Sequence, residues 1–283
     1  MEMLRLARRS LLFWRCCDAT HRIQKVREVR AKIHHTSTEQ NQQVLRLLDT
    51  GVATMKILDL GCRTGSAVAA WQLEGDIVVG VDWEDFGQQI LGDFTKRETW
   101  EIIDSVNAIW EGDYPTPYDF IWFSPDCSIF SVSGFQYGHF CPQTYRPLTD
   151  RAKREVEGIK YVIKQIRERA PRLGWVMENP RALMRKMPFV QDLARVTVSY
   201  CQYGDFRMKP TDLFGDIPWL FEPKLCNNGD PCHVAAPRGS YTGTQGMSKT
   251  EAGRIPLELS RAIRTAALQS YATPQPTLGD FDE

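Results

Sequence analysis

The sequence contains no hydrophobic run long enough to cross a membrane. No stretch of its 283 residues approaches the roughly eighteen apolar residues that a spanning helix needs. The chain also lacks a net charge, since 35 basic residues balance 35 acidic ones, so the overall charge indicates no polyanionic partner. Hydrophobic residues make up 42% of the chain and charged residues 25%, as in ordinary globular proteins. We therefore predict a soluble protein with one sizeable core and no membrane contact.

The eight cysteines form no CxxC pair and no regular framework. A chain of this size does not need disulfide staples, so we expect reduced thiols in a cytoplasm. Cys226, Cys232 and His233 are residue types that bind zinc, but their spacing matches no common zinc motif and a fourth ligand is missing. The sequence therefore predicts a cytoplasmic protein without a metal site.

Charge is unevenly distributed along the chain. Residues 59–119 hold 13 acidic and 3 basic residues, whereas residues 143–187 hold 12 basic and 5 acidic ones. This segregation is compatible with a positive face beside a polyanion, and equally with ordinary solvated helices.

The two ends differ in composition from the middle. Residues 1–35 carry 9 basic and 3 acidic residues, and we interpret them as a basic N-terminal extension, with mitochondrial or nuclear targeting as the alternatives. Residues 273–283 are proline-rich and acidic, which predicts a disordered tail. Residues 36–272 then form one domain, which we expect to be monomeric.

Short apolar strands alternate with helical segments in that domain. The pattern predicts helices at Ala67–Leu73 and Ala152–Arg169, and strands at Lys56–Leu60, Ile77–Val81, Phe120–Phe123, Trp175–Met177, Val196–Tyr200 and Leu213–Phe214. Such alternation indicates an α/β fold with a doubly wound, mostly parallel sheet, whose ligands bind at the carboxyl ends of the strands. Four chemically active residues fall at or just after predicted strand ends, namely Asp59, Asp82, Cys127 and Glu178.

A glycine-bearing turn follows the first predicted strand, in the run Ile-Leu-Asp-Leu-Gly-Cys-Arg-Thr-Gly-Ser of residues 57–66. Glycines before a helix allow backbone N–H groups to approach a cofactor closely. The next strand ends at Asp82, a carboxylate suited to ribose hydroxyls, beside Trp83, which can stack on a purine. These stretches resemble the cofactor site of class I S-adenosylmethionine-dependent methyltransferases.

A cysteine and a glutamate follow two later strands. Cys127 stands behind the rigid Pro125 on a loop that can present a thiolate, and Glu178 with Asn179 ends the strand beginning at Trp175. Addition to C6 of cytosine requires this pair, because the thiolate attacks the ring while the carboxyl group binds or protonates N3. A single cysteine is more often a small buried hydrophobe, and a Glu-Asn pair can cap a helix.

The order of these blocks resembles that of the DNA cytosine-5 methyltransferases, in a compact phage-like form of a restriction-modification type. The resemblance covers residues 56 to about 270 and implies a Rossmann-like methyltransferase fold. It implies S-adenosylmethionine bound by Asp59, Gly61, Gly65, Asp82, Trp83, Asp93 and Pro125. It implies Cys127, Glu178 and Asn179 as catalytic residues, with Arg207 and Lys209 as weaker candidates.

Departures from the family pattern fall close to these residues. Arg63 replaces a glycine, which would cost on the order of 1 kcal/mol if its φ is positive. Asp126 and Ser128 flank Cys127 where the family has proline and glutamine, and a neighbouring carboxylate disfavours a thiolate unless it points away. Thr211 replaces an arginine of the block that contains Arg207 and Lys209.

The region available for target recognition is short, at about residues 216–250. Its size predicts short or relaxed sequence specificity, or help from an accessory specificity protein; an ordinary surface loop is the alternative. DNA is the expected partner, with the cytosine flipped out of the duplex or in a single strand. The residues leave open an RNA (tRNA) cytosine-5 methyltransferase, transfer of another group, and a catalytically inactive nucleic-acid-binding homologue.

Overall fold

The computed structural model describes residues 55–111, 118–131, 136–227, 229–235, 244 and 246–273. The predicted extension at residues 1–35 lies outside the described residues, as do all but the first residue of the predicted tail and part of the predicted recognition region. No helix within the described ranges is long and apolar enough to cross a membrane.

Within the described residues, seven strands form one sheet in the order β3-β2-β1-β4-β5-β7-β6. The strands are β1 (Lys56–Leu60), β2 (Ile77–Asp82), β3 (Ile90–Leu91), β4 (Phe120–Phe123), β5 (Trp175–Pro180), β6 (Ala194–Ser199) and β7 (Pro210–Asp216). The pairings among β1 to β5 are parallel, whereas β7 runs antiparallel to both β5 and β6. The predicted α/β fold with a mostly parallel, doubly wound sheet is confirmed.

Helices cover both faces of the sheet. They are α1 (Ala69–Leu73, preceded by the 3₁₀ turn Ser66–Val68), α2 (Arg97–Glu111), α3 (Asp150–Arg169), α4 (Lys249–Gly253) and α5 (Leu257–Ala272). One core cluster packs Leu58, Val79 and Ile121 against α2 and α3, and the other packs Ile57 and Trp122 against α1 and α5. Fully buried strands with helices on both faces are typical of parallel sheets.

The helix α3 shows how closely local sequence determines an element here. Thr149 caps its first turn by accepting a hydrogen bond from the backbone N–H of Ala152, and Ala170 ends it in the left-handed conformation. The predicted apolar stripe, from Val156 to Ile166, is buried against the sheet. The helix therefore extends the predicted range by two residues at its beginning.

Candidate active site

The strand order reverses between β1 and β4, and the loops that follow these two strands enclose the crevice where doubly wound sheets bind ligands. Gly61 follows β1, has a φ of 77°, and lies so close to β4 that an added Cβ would stand 2.3 Å from the carbonyl oxygen of Ser124. No other residue fits this position without moving β1 or β4, so this glycine sets the width of the crevice.

The glycine loop is tied to the end of β2. The backbone N–H of Gly61 donates to the carbonyl of Val81, and the N–H of Arg63 donates to the carboxylate of Asp82 at 3.1 Å. Arg63 has a φ of 40°, in the left-handed region that favours glycine. The arginine at this position therefore carries the backbone strain expected from the sequence. Gly65 also has a positive φ, of 67°, directly before the turn that begins α1.

Asp59 is fully buried in β1, and neither of its carboxylate oxygens has a hydrogen-bond partner within the described part of the chain. Burial, and then the charge of Asp82, raise its pKa to about 8. Such a group costs folding free energy unless a ligand satisfies it. A cationic donor such as the amino group of S-adenosylmethionine would supply both charge and hydrogen bonds, so the residues present fit this cofactor.

The remaining predicted cofactor residues have different surroundings. Asp82 is buried at the end of β2 and accepts hydrogen bonds from the N–H groups of Arg63 and Glu84. Trp83 is 61% exposed beside it, free of the core and available to a planar ligand. Asp93 lies further out, where its side chain accepts two hydrogen bonds from Thr95 and so closes the turn before α2.

The loop after β4 presents Cys127 to solvent, behind the buried Pro125. The two residues that flank Cys127 are hydrogen-bonded to each other, because Asp126 accepts hydrogen bonds from both the backbone N–H and the hydroxyl of Ser128. Arg151 of α3 donates to the Ser128 hydroxyl at 2.8 Å and pairs with Asp126 at 3.5 Å. The charge of the carboxylate next to Cys127 is therefore partly neutralised.

The surroundings of Cys127 hold its pKa above the usual range for a thiol. The residue is partly open to solvent, but the surrounding protein desolvates the sulfur. Desolvation is the largest cause of the raised pKa of Cys127. The negative charges of Glu178 and then Asp126 raise the pKa further, whereas the cation of Lys209 lowers it. The thiol therefore needs a nearby positive charge to become a nucleophile.

Glu178 and Asn179 lie within β5 rather than after it, because the strand continues to Pro180. Glu178 is buried and accepts a hydrogen bond from the hydroxyl of Tyr200 at 2.8 Å. Asn179 is buried too, and neither its amide nitrogen nor its oxygen has a partner among the described residues. Tyr200 was not a predicted site residue; its sequence signal was only a place at the end of a predicted strand.

Lys209 lies beside these groups in the turn before β7. It is buried, its Nζ donates to the carbonyl of Ala252 at 2.9 Å, and it stands 4.5 Å from the centre of the Tyr200 ring. Burial lowers its pKa, and the charges of Glu178 and Cys127 act against that effect. Lys209 thus places an amino group close to both predicted catalytic groups, which its position in the sequence suggested only weakly.

Arg207 is held by the protein itself. Its guanidinium forms a two-pronged ion pair with Asp205 and donates to the carbonyls of Glu251, Ala252 and Arg254, at 3.0, 3.2 and 3.2 Å. These contacts use all of its N–H donors. A direct role of Arg207 in the reaction would require one of them to be exchanged, whereas its role in fixing the C-terminal end of α4 is evident.

Replacing Arg207 by alanine should therefore destabilise the protein, by roughly 3–5 kcal/mol, because it leaves Asp205 and three backbone carbonyls without their partner in a buried place. Urea unfolding followed by circular dichroism measures this. Arg97→Ala is the matched control: Arg97 is 83% exposed and forms a surface ion pair with Glu101, so its loss should cost about 0.5 kcal/mol or less. Unchanged stability of Arg207→Ala would contradict the structural role.

The C-terminal helices complete the region around the glycine loop. The N–H of Ile255 donates to the hydroxyl of Ser66, and the N–H of Ala70 donates to the hydroxyl of Ser260, at 3.1 Å each. The final helix α5 thereby packs on α1. An open groove runs beside this contact, lined by Thr64, Tyr203, Phe206, Arg254 and Glu258 among others.

Comparisons with known proteins give only distant structural likenesses. No family model matches the chain, and no curated protein matches it in sequence. The chain is similar to a human methyltransferase 10 domain containing protein, with 11% identity and a TM-score of 0.29 over 71% of this chain and 84% of that one. It is also similar to the delta-N METTL16 MTase domain (10% identity, TM-score 0.29, 67% and 82% covered). The PH0226 protein from Pyrococcus horikoshii OT3 gives 14% identity and a TM-score of 0.26, over 62% and 72%.

Proposed function

We propose that this protein transfers a methyl group from S-adenosylmethionine to C5 of cytosine in DNA, with Cys127 as the nucleophile. The observation that carries the proposal is the position of two residues on neighbouring strands. Cys127 follows β4, and Glu178 lies in β5, which pairs with β4 in parallel. The charge of Glu178 acts on the Cys127 thiol, and Lys209 acts on both. A thiol, a carboxyl group and a cation together match the needs of addition to a pyrimidine ring.

Two residues act on the ring in the proposed reaction. The Cys127 thiolate forms a bond between its sulfur and C6, while the buried Glu178 holds a proton or hydrogen bond at N3 and so takes up the charge that develops on the ring. C5 is then the nucleophilic atom that accepts the methyl group. Loss of the C5 proton to a base and departure of the Cys127 sulfur from C6 restore the aromatic ring.

Tyr200 and Lys209 support these two groups. The Tyr200 hydroxyl donates to one carboxyl oxygen of Glu178, and the other oxygen would contact the base. Lys209 favours the thiolate of Cys127 through its charge. The amide nitrogen and oxygen of Asn179 have no partner in the described ranges, and they offer a donor and an acceptor that would suit hydrogen bonds to a flipped base or to the cofactor.

S-Adenosylmethionine supplies an electrophilic methyl group when it is bound. Asp59 would hold its amino group, Gly61 and Gly65 would let the backbone approach it, and Asp82 with Trp83 would hold the ribose and adenine. Arg63 keeps a positive φ, which a glycine would adopt without strain. The backbone N–H of Arg63 donates to the Asp82 carboxylate, and this bond would orient the carboxylate for a ribose.

The proposed covalent step can be tested with DNA in which cytosines carry fluorine at C5. Fluorine replaces the proton that must leave in the last step, so the protein should stay bound to the DNA through Cys127 once the methyl group is added. We expect a stable adduct on a denaturing gel only when S-adenosylmethionine is present, and peptide mass spectrometry should locate it at Cys127.

The same DNA without fluorine is the control, and it should give no lasting adduct. A fluorinated RNA of the same sequence tests the substrate class. An adduct at another cysteine would overturn the assignment of the nucleophile, and an adduct with RNA alone would overturn the assignment of DNA as the substrate.

A further inference from the structure

Three cysteines and a histidine from two separate segments meet beside the proposed active site. Cys201 lies in the 3₁₀ turn Tyr200–Tyr203 between β6 and β7, and Cys226, Cys232 and His233 lie in the loop that follows β7. The four ligand atoms, three Sγ and one imidazole nitrogen, all lie within 4.8 Å of one another. Cys201 is the fourth ligand that the sequence analysis lacked. Its proximity to the other three residues could not be predicted, because it stands 25 residues before Cys226.

Four of the six separations lie within about 0.5 Å of those in a tetrahedral zinc site. Zinc bonds of about 2.3 Å to sulfur and about 2.0 Å to nitrogen place two sulfurs about 3.8 Å apart and a sulfur and a nitrogen about 3.5 Å apart. The Sγ of Cys232 lies 3.3 Å from that of Cys226 and 3.6 Å from that of Cys201. The His233 Nδ1 lies 3.3 Å from the Cys226 sulfur and 3.7 Å from the Cys232 sulfur.

The surrounding chain holds these side chains in place. The backbone N–H of Cys226 donates to the hydroxyl of Ser199 at the end of β6, and the N–H of Val234 donates to the carbonyl of Phe206. Asn227 and Asp230 close the turn between the cysteines through a hydrogen bond in each direction. These contacts position three ligands against the fourth.

A second layer of contacts also suits a metal thiolate. The Gln202 side-chain amide donates to the Cys232 sulfur at 3.2 Å, which is the kind of outer contact that orients a metal ligand. A disulfide between two of the cysteines would leave the third thiol and the histidine unexplained, and all three cysteines are free thiols.

We propose that Cys201, Cys226, Cys232 and His233 bind one structural Zn²⁺ through three thiolates and the Nδ1 of the imidazole. Four protein ligands complete the coordination of the metal, so the site is structural rather than catalytic. The metal fastens the loop predicted to contact the target to the turn that carries Tyr200, whose hydroxyl holds Glu178. It thereby links the recognition segment to the catalytic edge of the sheet.

Metal analysis of the full chain, purified without chelators and with reducing agent, tests the site independently of any methyl transfer. We expect one zinc per chain by inductively coupled plasma mass spectrometry. Cys232→Ser, at an exposed ligand, and His233→Ala should each lower the bound zinc severalfold. Cys141→Ser is the matched control, because Cys141 is a free thiol that lies outside the cluster and donates to the side chain of Gln143. This variant should keep one zinc per chain.

Cobalt exchange keeps the test valid if a variant folds poorly. The wild-type chain loaded with Co²⁺ should show thiolate-to-cobalt charge-transfer bands and the intense d–d bands of a tetrahedral site, and equimolar Zn²⁺ should abolish them. A wild-type chain that holds no zinc and gives no tetrahedral cobalt spectrum would overturn the proposal. So would full zinc content in both ligand variants, or a Cys226–Cys232 disulfide in the reduced preparation.

Discussion

Cys127→Ser should abolish methyl transfer to DNA, lowering kcat by at least about 10⁴-fold. A serine hydroxyl has a far higher pKa than a thiol and is a much weaker nucleophile, so the bond to C6 does not form. Because Cys127 is exposed on a loop, the variant should fold normally, with a change in unfolding free energy of about 0.5 kcal/mol or less. Transfer of a labelled methyl group to DNA, measured beside urea unfolding, checks both effects.

Cys141→Ser serves as the control for the loss of a thiol. This cysteine lies on the loop between β4 and α3 and is neither of the two proposed catalytic groups, Cys127 and Glu178. It should keep the wild-type rate. Cofactor affinity should be unchanged in Cys127→Ser, because the predicted cofactor residues are intact. Comparable rates in Cys127→Ser and the wild type would eliminate covalent catalysis by this residue.

Asp59→Asn should weaken the binding of S-adenosylmethionine by about 10–100-fold while making the protein without cofactor more stable. The loss of affinity follows because an amide cannot pair with a cationic amino group as a buried carboxylate does. The gain in stability follows because the carboxyl group is fully buried, has no hydrogen-bond partner among the residues that the structure describes, and has its pKa raised by burial to about 8. Calorimetric titration and urea unfolding measure the two effects separately.

The stability effect depends on pH in a defined direction. In the unfolded chain an aspartate ionises near pH 4, whereas in the folded protein Asp59 keeps its proton until about pH 8. Its contribution to stability is therefore intact below about pH 4 and is lost as the pH rises toward 8. The advantage of Asp59→Asn should be small at pH 4.5 and reach a few kcal/mol at pH 8.

Asp104→Asn is the matched control, because Asp104 is an exposed aspartate on α2, paired with Arg169, far from the glycine loop in sequence. It should leave the cofactor affinity unchanged. A wild-type protein whose stability, without cofactor, is the same at pH 4.5 and pH 8 would contradict the proposed state of Asp59.

The parallel part of the sheet was predictable, because buried strands read as short apolar runs. The bounds of β1 and β4 agree with those predicted from the sequence. The place of β7 was not, because it lies between β5 and β6 and pairs antiparallel with both. The short connection from Tyr200 to Lys209 explains this direction, since a parallel return would need a longer crossover. Helix α2 was not predicted either. Trp100 and Ile103 are buried, but the acidic residues around them interrupt the apolar pattern in the sequence.

The candidate site was partly predictable for a similar reason. Residues at the ends of neighbouring parallel strands meet at one edge, so Cys127 and Glu178 could be paired from sequence alone. Contacts that depend on side-chain direction could not. The bond between Asp126 and Ser128, the five donors of Arg207 directed into the protein, and the approach of Cys201 to Cys232 all arise from the packing of distant segments.

The most direct measurement is mass spectrometry of nucleosides from the DNA and RNA of cells that express either the wild type or Cys127→Ser. Our account predicts 5-methyldeoxycytidine in DNA from wild-type cells, and the level of the host background with Cys127→Ser. A modified deoxycytidine of a different mass would refute methyl as the transferred group, and a mark in RNA alone would refute DNA as the substrate. Equal nucleoside profiles in the two strains would contradict the account as a whole.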